Sequence, residues 1–268
     1  MLYSIINSIK LLLSRPFYIL LSLLTSLIYA VLLFFVQDDI TGFRASSLTT
    51  ESLPSSNIAV LPYQLISMYP KQIAELSAVF FLALLLNVVL LFGFAFYSKR
   101  LSQKKADASE AIGFISRKFF DALKLSVFFF LVGAFFGTLL WFSLILFLSA
   151  DILWVIAFLV LAFILVLILI EFILTPIVMA AEELNLKESL KQTFAFSSHH
   201  SIEIFILIIV LGIADYIVNQ LIIFIEDFSF MQNQWLQNGI EIIGSLIIVS
   251  FSALVLTQFY LAKKKELK

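Results

Sequence analysis

Six long runs of apolar residues constrain the fold of this chain more than any other feature of its sequence. A helix of about 20 apolar residues is long enough to cross the roughly 30 Å hydrocarbon core of a bilayer. The six runs lie at residues 17–36, 74–97, 125–149, 152–180, 202–225 and 240–262. We therefore predict an all-α integral membrane protein, a single polytopic domain over residues 1–268 with six transmembrane helices.

Composition supports this prediction and excludes several function classes. The chain is 62% hydrophobic and 13% charged, whereas soluble domains are about 45–50% apolar and about 25% charged. A net charge of −1 argues against a nucleic-acid partner. Because the chain has no cysteine, it has no disulfide, no thiolate nucleophile and no thiolate metal site. We predict no cofactor and no metal.

The distribution of basic residues predicts the orientation. Cytoplasmic segments of membrane proteins are enriched in Lys and Arg. With the N-terminus inside, only Arg44 and Lys71 of the 17 Lys and Arg residues fall on the outer side. We therefore expect a multi-pass protein of the cell membrane with both termini in the cytoplasm.

The predicted connections on the outer side are one long loop and two shorter ones. The long loop, 37–73, contains Pro54, Pro62 and Pro70, and its apolar stretch 58–68 is too short to span. A loop lying on the membrane is the favoured interpretation of that stretch, and a re-entrant segment the alternative. Asp151 suits the N-cap of the helix that returns after the third run. The last loop, 226–238, carries the interfacial aromatics Phe228, Phe230 and Trp235.

A short amphipathic segment precedes the first, third and fifth runs. Such segments lie in the membrane interface with the apolar face toward the lipid. The fold prediction is therefore three hairpin repeats, each preceded by a cytoplasmic interfacial amphipathic helix. The apolar positions are Leu2, Ile5, Ile6, Ile9, Leu12 and Leu13 in the first segment; Ile112, Ile115, Phe119, Ala122 and Leu123 in the second; and Leu186, Leu190, Thr193 and Phe194 in the third.

The stretch TPIVMAAEELNLKESLKQTFAFSSHHSIEIF resembles a known family. Its pattern is a proline-containing turn at Pro176, an acid at Glu182 or Glu183, and a helix with Ser189 and then Thr193 or Phe194. It resembles the membrane domain found with bacterial glycerophosphodiester phosphodiesterases, and related prokaryotic six-span families of unknown function. The earlier EAIGFISRKFF resembles the same helix in a preceding copy. The resemblance implies a fold and a topology but no catalytic residues, because the hydrolase of such families is a separate soluble domain.

Two acids lie inside predicted spans, where ionisable residues are costly and often functional. Glu171 is in the fourth run and Asp215 in the fifth, at depths that differ by about one helical turn if the helices are adjacent and antiparallel. They could form a proton- or cation-linked site with Asn87, Thr175 and Gln258 as polar neighbours. The alternative is that each acid is neutral and hydrogen-bonded on its own, or that Asp215 faces an outer vestibule.

Several cytoplasmic cations and both histidines are predicted to contact lipid headgroups. They are Lys99, Arg100, Lys104, Lys105, Arg117, Lys118, His199, His200, Lys263, Lys264 and Lys265. Zinc-protease, phosphate-loop and serine-hydrolase patterns are missing from the sequence.

The sequence predicts a non-enzymatic membrane scaffold or accessory subunit. Its partners would be membrane lipids and another membrane protein or a second copy of the chain. The alternative function is a small proton- or cation-linked transporter or channel that uses Glu171 and Asp215.

Overall fold

The computed structural model describes residues 2–28, 30–31, 70–147, 152–226 and 234–266. The predictions for the loop 37–69, for Asp151 as a helix cap, and for Phe228 and Phe230 lie outside the described residues. Throughout the described part every regular element is an α-helix, and no strand occurs there. The helices are α1 Leu2–Ser14, α2 Pro16–Ile28, α3 Pro70–Ser102, α4 Ala108–Arg117, α5 Phe119–Phe147, α6 Ile152–Phe172, α7 Thr175–Glu182, α8 Leu186–Glu226 and α9 Gln234–Glu266.

Five helical segments within the described ranges are long and apolar enough to cross a membrane. They are α3, the first part of α5, the α6–α7 segment over Phe158–Glu182, α8, and the part of α9 over Ile247–Lys264. Helices α1 and α2 meet this criterion only together, and they are bent by 85° at their junction, so the bent pair would make a sixth span. An all-helical protein with five or six such segments is compatible with a multi-pass membrane protein.

The fourth apolar run is interrupted, although the sequence predicts a single helix over 152–180. Helix α6 ends at Phe172, and α7 begins at Thr175 with Pro176 in its first turn. Proline has no N–H to donate and its ring clashes with the carbonyl four residues earlier, here that of Phe172. The helix therefore breaks at Ile173–Leu174 and restarts where proline is tolerated.

Two helices end on a non-glycine residue in the left-handed conformation. Lys104 follows α3 with φ 59°, and Glu183 follows α7 with φ 57°. The next N–H folds back in each case: that of Lys105 bonds the Arg100 carbonyl at 3.0 Å and that of Leu184 bonds the Met179 carbonyl at 3.1 Å. These bonds satisfy carbonyls that a helix end otherwise leaves unpaired.

Helix α4 begins on a side-chain cap. The Asp107 carboxylate accepts hydrogen bonds from the Ser109 hydroxyl at 2.7 Å and from the Ser109 backbone N–H at 3.0 Å. Both bonds favour the ionised form and hold the pKa of Asp107 below its ordinary value. Asp107 thus fixes where the second amphipathic segment starts.

The chain divides into two compact units. Unit 1 comprises Met1–Ile28, Leu86–Leu125 and Ile170–Lys268, and unit 2 comprises Tyr29–Leu85 and Ser126–Leu169. In unit 2, the Phe130 ring lies 5.8 Å from that of Phe81 and 6.2 Å from that of Phe80, between ring centroids. The largest fully buried side chains, all in unit 1, include Tyr18, Phe92, Phe94, Phe96, Phe259 and Tyr260.

Small polar side chains fill the helix contacts of unit 1. Ser4 and Ser8 are buried on α1, which packs against α9. The Asn7 amide on the same helix donates to the Gln258 side-chain oxygen on α9 at 2.8 Å. Three further residues, spaced four apart on α8, are also buried: Ser189, Thr193 and Ser197. Such residues let backbones approach closely, which is how helices associate when the surrounding solvent is as apolar as leucine.

The predicted apolar faces of the amphipathic segments are only partly packed. Ile6 on α1 and Ile112 on α4 are exposed. Helix α4 packs through Phe114, which the sequence pattern does not single out. Ala122 of the second segment and Thr193 of the third lie on the predicted faces and are buried. The predicted apolar face and the packing side therefore coincide at some positions and differ at others.

A helix break lies beside or within each amphipathic segment. Arg15 separates α1 from α2 after the first segment. Lys118 separates α4 from α5 within the second segment, so the predicted single amphipathic helix is divided between α4 and the start of α5. In α8 the break lies at His200, whose φ of −121° and ψ of 18° depart from helical values. The third segment and the fifth span are therefore one bent helix.

Candidate functional site

A cavity of about 410 Å³ in unit 1 holds two of the residues that the sequence predicts for a polar site. Asn87 of α3 and Asp215 of α8 both line it, and Ser252 of α9 adds a hydroxyl-bearing side chain. The remaining lining residues are Gly212 and apolar side chains, among them Leu90, Leu91, Ile208, Leu211, Ile248 and Leu256. Residues of α3, α8 and α9, with Ile173 between α6 and α7, thus line an open, largely apolar cavity with a few polar groups. This is the usual composition of a small-molecule site.

Asp215 is the charged residue of this cavity. Its side chain is exposed, and its Oδ2 accepts a hydrogen bond from the Asn219 amide one turn later at 3.4 Å. The described residues that line the cavity include no Lys, Arg or His. An acidic group in an apolar wall, without a basic neighbour there, favours a ligand that supplies positive charge.

Glu171 is not among the residues that line this cavity, although Ile173, two residues later, is. The Glu171 backbone oxygen accepts a hydrogen bond from the Ser197 hydroxyl at 3.3 Å, in the first half of α8. Asp215 lies on the same helix beyond the bend at His200. The cavity lining therefore includes Asp215 without Glu171, and a site shared by the two acids stays a prediction.

Buried polar atoms without a hydrogen-bond partner among the described residues lie on both sides of the α7–α8 contact. They include Glu171 Oε2, Thr175 Oγ1 and Thr193 Oγ1. Both threonines are completely buried. Helices α7 and α8 pack directly on each other. Buried polar groups of this kind ordinarily form hydrogen bonds with other protein groups or with ordered water.

The fifth predicted site residue, Gln258, has a structural partner instead. It accepts the hydrogen bond from Asn7 and so joins α9 to α1. Gln258 and Thr175 are not among the residues that line the cavity. In the described ranges, no three His, Asp or Glu side chains are grouped so that they could hold a metal ion.

Many of the cations predicted to contact headgroups are paired with acids. The Arg100 guanidinium lies 2.9 Å from a Glu110 oxygen and sits over the Phe96 ring at 5.1 Å. The other pairs are Lys99–Glu183 at 3.8 Å, Lys118–Asp121 at 3.0 Å, Lys263–Glu203 at 3.0 Å, His200–Glu203 at 3.2 Å and Lys264–Glu182. Partly exposed pairs of this kind contribute about 0–1 kcal/mol each, so their main effect is to fix which helix ends meet.

The other predicted headgroup contacts differ in their surroundings. Lys104, Lys105, Arg117 and His199 are exposed, and a His199 ring nitrogen lies 2.8 Å from the Ala195 carbonyl oxygen. The Lys265 side chain lies outside the described residues. Contact with headgroups stays a prediction for the whole set.

The acids of these ion pairs are the residues whose role the sequence did not reveal. Glu182, Glu183 and Glu203 pair with cations on other helices. The available signal was their location on the predicted cytoplasmic side, together with the cations.

Comparisons with known proteins match no family model, no curated sequence and no solved structure.

Proposed function

We propose that this chain is a multi-pass membrane protein that acts as a non-enzymatic scaffold or accessory subunit, in contact with lipid and with another membrane protein. The observation that carries the proposal is the arrangement of side chains by size. Small polar residues such as Ser8 and Thr193 are buried between helices, while Leu131, Phe135 and Phe163 are more than 60% exposed. A surface of this kind needs an apolar environment, from lipid tails or from a partner's helices.

The helices of unit 2 support contact with a partner. Along their described lengths, α5 exposes Leu131 and Phe135, and α6 exposes Leu159, Val160 and Phe163. Exposed apolar patches of this kind mark surfaces that contact a protein partner or a membrane. Lipid could cover the same residues. Exposure alone therefore does not distinguish lipid from a protein partner, and the partner has to be identified by recovery from the membrane.

We further propose six spans with both termini in the cytoplasm, arranged as three hairpins that each follow an interfacial helix. Three observations support this arrangement. A helix break lies beside or within each amphipathic segment, at Arg15, Lys118 and His200. Apolar residues of all three segments are exposed, as Ile6, Ile112 and Phe194 illustrate. The charge distribution of the sequence places most cations on one side.

Single cysteines test this orientation directly, because the chain contains none of its own. We expect a membrane-impermeant maleimide to label Ser55→Cys in intact cells, since residue 55 belongs to the predicted outer loop. Ser116→Cys, at the exposed end of α4, should be labelled only after the cells are permeabilised. Labelling of Ser116→Cys in intact cells would contradict the proposed orientation.

Recovery from native membranes tests the proposed role. After chemical crosslinking, the tagged chain should be recovered with one other membrane protein at constant stoichiometry. A double alanine variant at Leu159 and Phe163 should lose that protein, while an Ile202→Ala variant, altered at an exposed position of unit 1, should retain it. If all variants are recovered alone, and the purified chain moves ions across vesicles, the scaffold function is wrong.

A second function, cation-linked transport, is favoured by one observation. The cavity with Asn87 and Asp215 provides a polar group within an otherwise apolar space. In this form the proposal depends on Asp215, since Glu171 is not among the residues that line the cavity. Asp215→Asn would then abolish ion movement in vesicles, while Glu171→Gln would leave it unchanged.

A further inference from the structure

We propose that the cavity between α3, α8 and α9 binds a lipophilic organic cation, a ligand with an apolar body and one positive charge that pairs with Asp215. This inference names a ligand class for the site of the second function above. It rests on the proposed membrane placement, because such ligands reach a site of this kind from the apolar phase. Binding itself does not require that the chain transports anything.

The size and walls of the cavity suit such a ligand. A volume of about 410 Å³ falls within the range of about 300–1,000 Å³ found for sites of drug-sized molecules. Leu90, Leu211, Ile248 and Leu256 contribute to walls that would pack against aromatic or aliphatic groups. A Ca²⁺ or Mg²⁺ ion would find too few oxygen ligands among the described lining residues, because these cations take about six to eight of them.

The charge of the lining selects the sign of the ligand. Among the described residues, Asp215 is the only charged one that lines the cavity, and the Asn219 amide on the same helix donates a hydrogen bond to its carboxylate. A carboxylate beside apolar walls loses hydration when a ligand covers it, so the ligand has to replace that hydration with its own charge. An anion would meet repulsion, and a neutral acyl chain would gain nothing from the carboxylate.

Gly212 keeps the cavity open and provides a second way to test it. A Cβ atom added at Gly212 meets no heavy atom within 4 Å, so a larger residue fits without disturbing the fold. Because Gly212 lines the cavity, the side chain of a Gly212→Leu variant would occupy the space of the ligand. Gly137 on α5 also has open space around it and belongs to unit 2, so Gly137→Leu is a matched control.

The experiment is equilibrium binding of radiolabelled tetraphenylphosphonium to the purified full chain in detergent. Tetraphenylborate, an anion of nearly the same shape, serves as the comparison ligand. We expect saturable binding of the cation and none of the anion. The Asp215→Asn variant should bind the cation at least about tenfold more weakly, because it loses the charge attraction to the ligand. Gly212→Leu should abolish binding, and Gly137→Leu should bind as the parent does.

Two results would overturn the inference. Equal affinity of the parent and Asp215→Asn, or equal binding of the two ions, would identify an apolar pocket for a neutral chain. Absence of saturable binding to the parent would mean that no such site exists. Neither result bears on orientation or on partner recovery, so failure of this inference is distinguishable from failure of the proposed function.

Discussion

Replacing Tyr18 by alanine should cause a large loss of the thermal stability of unit 1. The ring is completely buried, with its centroid 4.9 Å from that of Phe94 and 5.3 Å from that of Tyr97, edge to face with both. Truncation of a buried aromatic side chain costs about 3–5 kcal/mol. Each kcal/mol corresponds to about 2–4 °C in melting temperature for a chain near this size. Thermal unfolding in detergent, followed by tryptophan fluorescence, measures the loss.

Tyr18→Phe separates the hydrogen bond from the packing. The Tyr18 hydroxyl lies 2.7 Å from the Ser98 hydroxyl, and both residues are buried. The variant keeps the ring but leaves the Ser98 hydroxyl without this partner, at a cost of about 1–3 kcal/mol. Tyr18→Phe combined with Ser98→Ala should recover part of that loss. If Tyr18→Ala unfolds at the temperature of the parent, the aromatic contacts at Tyr18 do not stabilise unit 1.

Replacing Gly93 by leucine is the second change with a large expected effect. Gly93 lies on α3 where two other helices of unit 1 approach it. An added Cβ would collide with Leu21 Cδ2 of α2 and lie 3.0 Å from Ile115 Cδ1 of α4. Both contacts are ends of flexible side chains, so alanine could be accommodated but leucine could not. Overpacking of this kind costs about 1–3 kcal/mol.

The matched control for Gly93→Leu is Gly133→Leu on α5. A Cβ at Gly133 meets nothing within 4 Å, so the change should raise helix propensity without a steric penalty. Thermal unfolding in the same detergent should show a lower melting temperature for Gly93→Leu and no decrease for Gly133→Leu. Equal melting temperatures of the two variants would mean that the packing of α2 and α4 against α3 does not require a glycine at position 93.

Hydrophobic run length predicts most of the helices and little of their packing. The second run, 74–97, lies within α3, Pro70–Ser102, because an uninterrupted apolar run has no competing structure. The pattern does not identify the buried faces. On α1 the apolar periodicity marks Leu2, Ile6 and Leu13, which are exposed, while Ser4 and Ser8 are buried. In a lipid environment both sides of a helix are apolar, so hydrophobicity cannot distinguish the lipid side from the protein side.

The sequence predicts only part of the cavity lining, for a related reason. Asn87 and Asp215 line one cavity, although they belong to the second and the fifth apolar runs. Glu171 is not among the lining residues. Counting residues from the ends of the runs does not show the bend at His200 or the start of α8 at Leu186. Pairs such as Lys263–Glu203 join residues far apart in sequence, and no local pattern specifies them.

The buried serines and threonines also determine how sequences like this one can diverge. In the proposed membrane placement, exposed apolar residues that only lipid covers, such as Ile202, can exchange with one another over evolutionary time because lipid does not distinguish their shapes. Ser8, Ser189 and Thr193 have much less freedom, since a larger residue at any of them would force two backbones apart. Relatives of this chain should therefore be recognised by the spacing of their small polar residues, even where the lipid-facing apolar residues have been replaced.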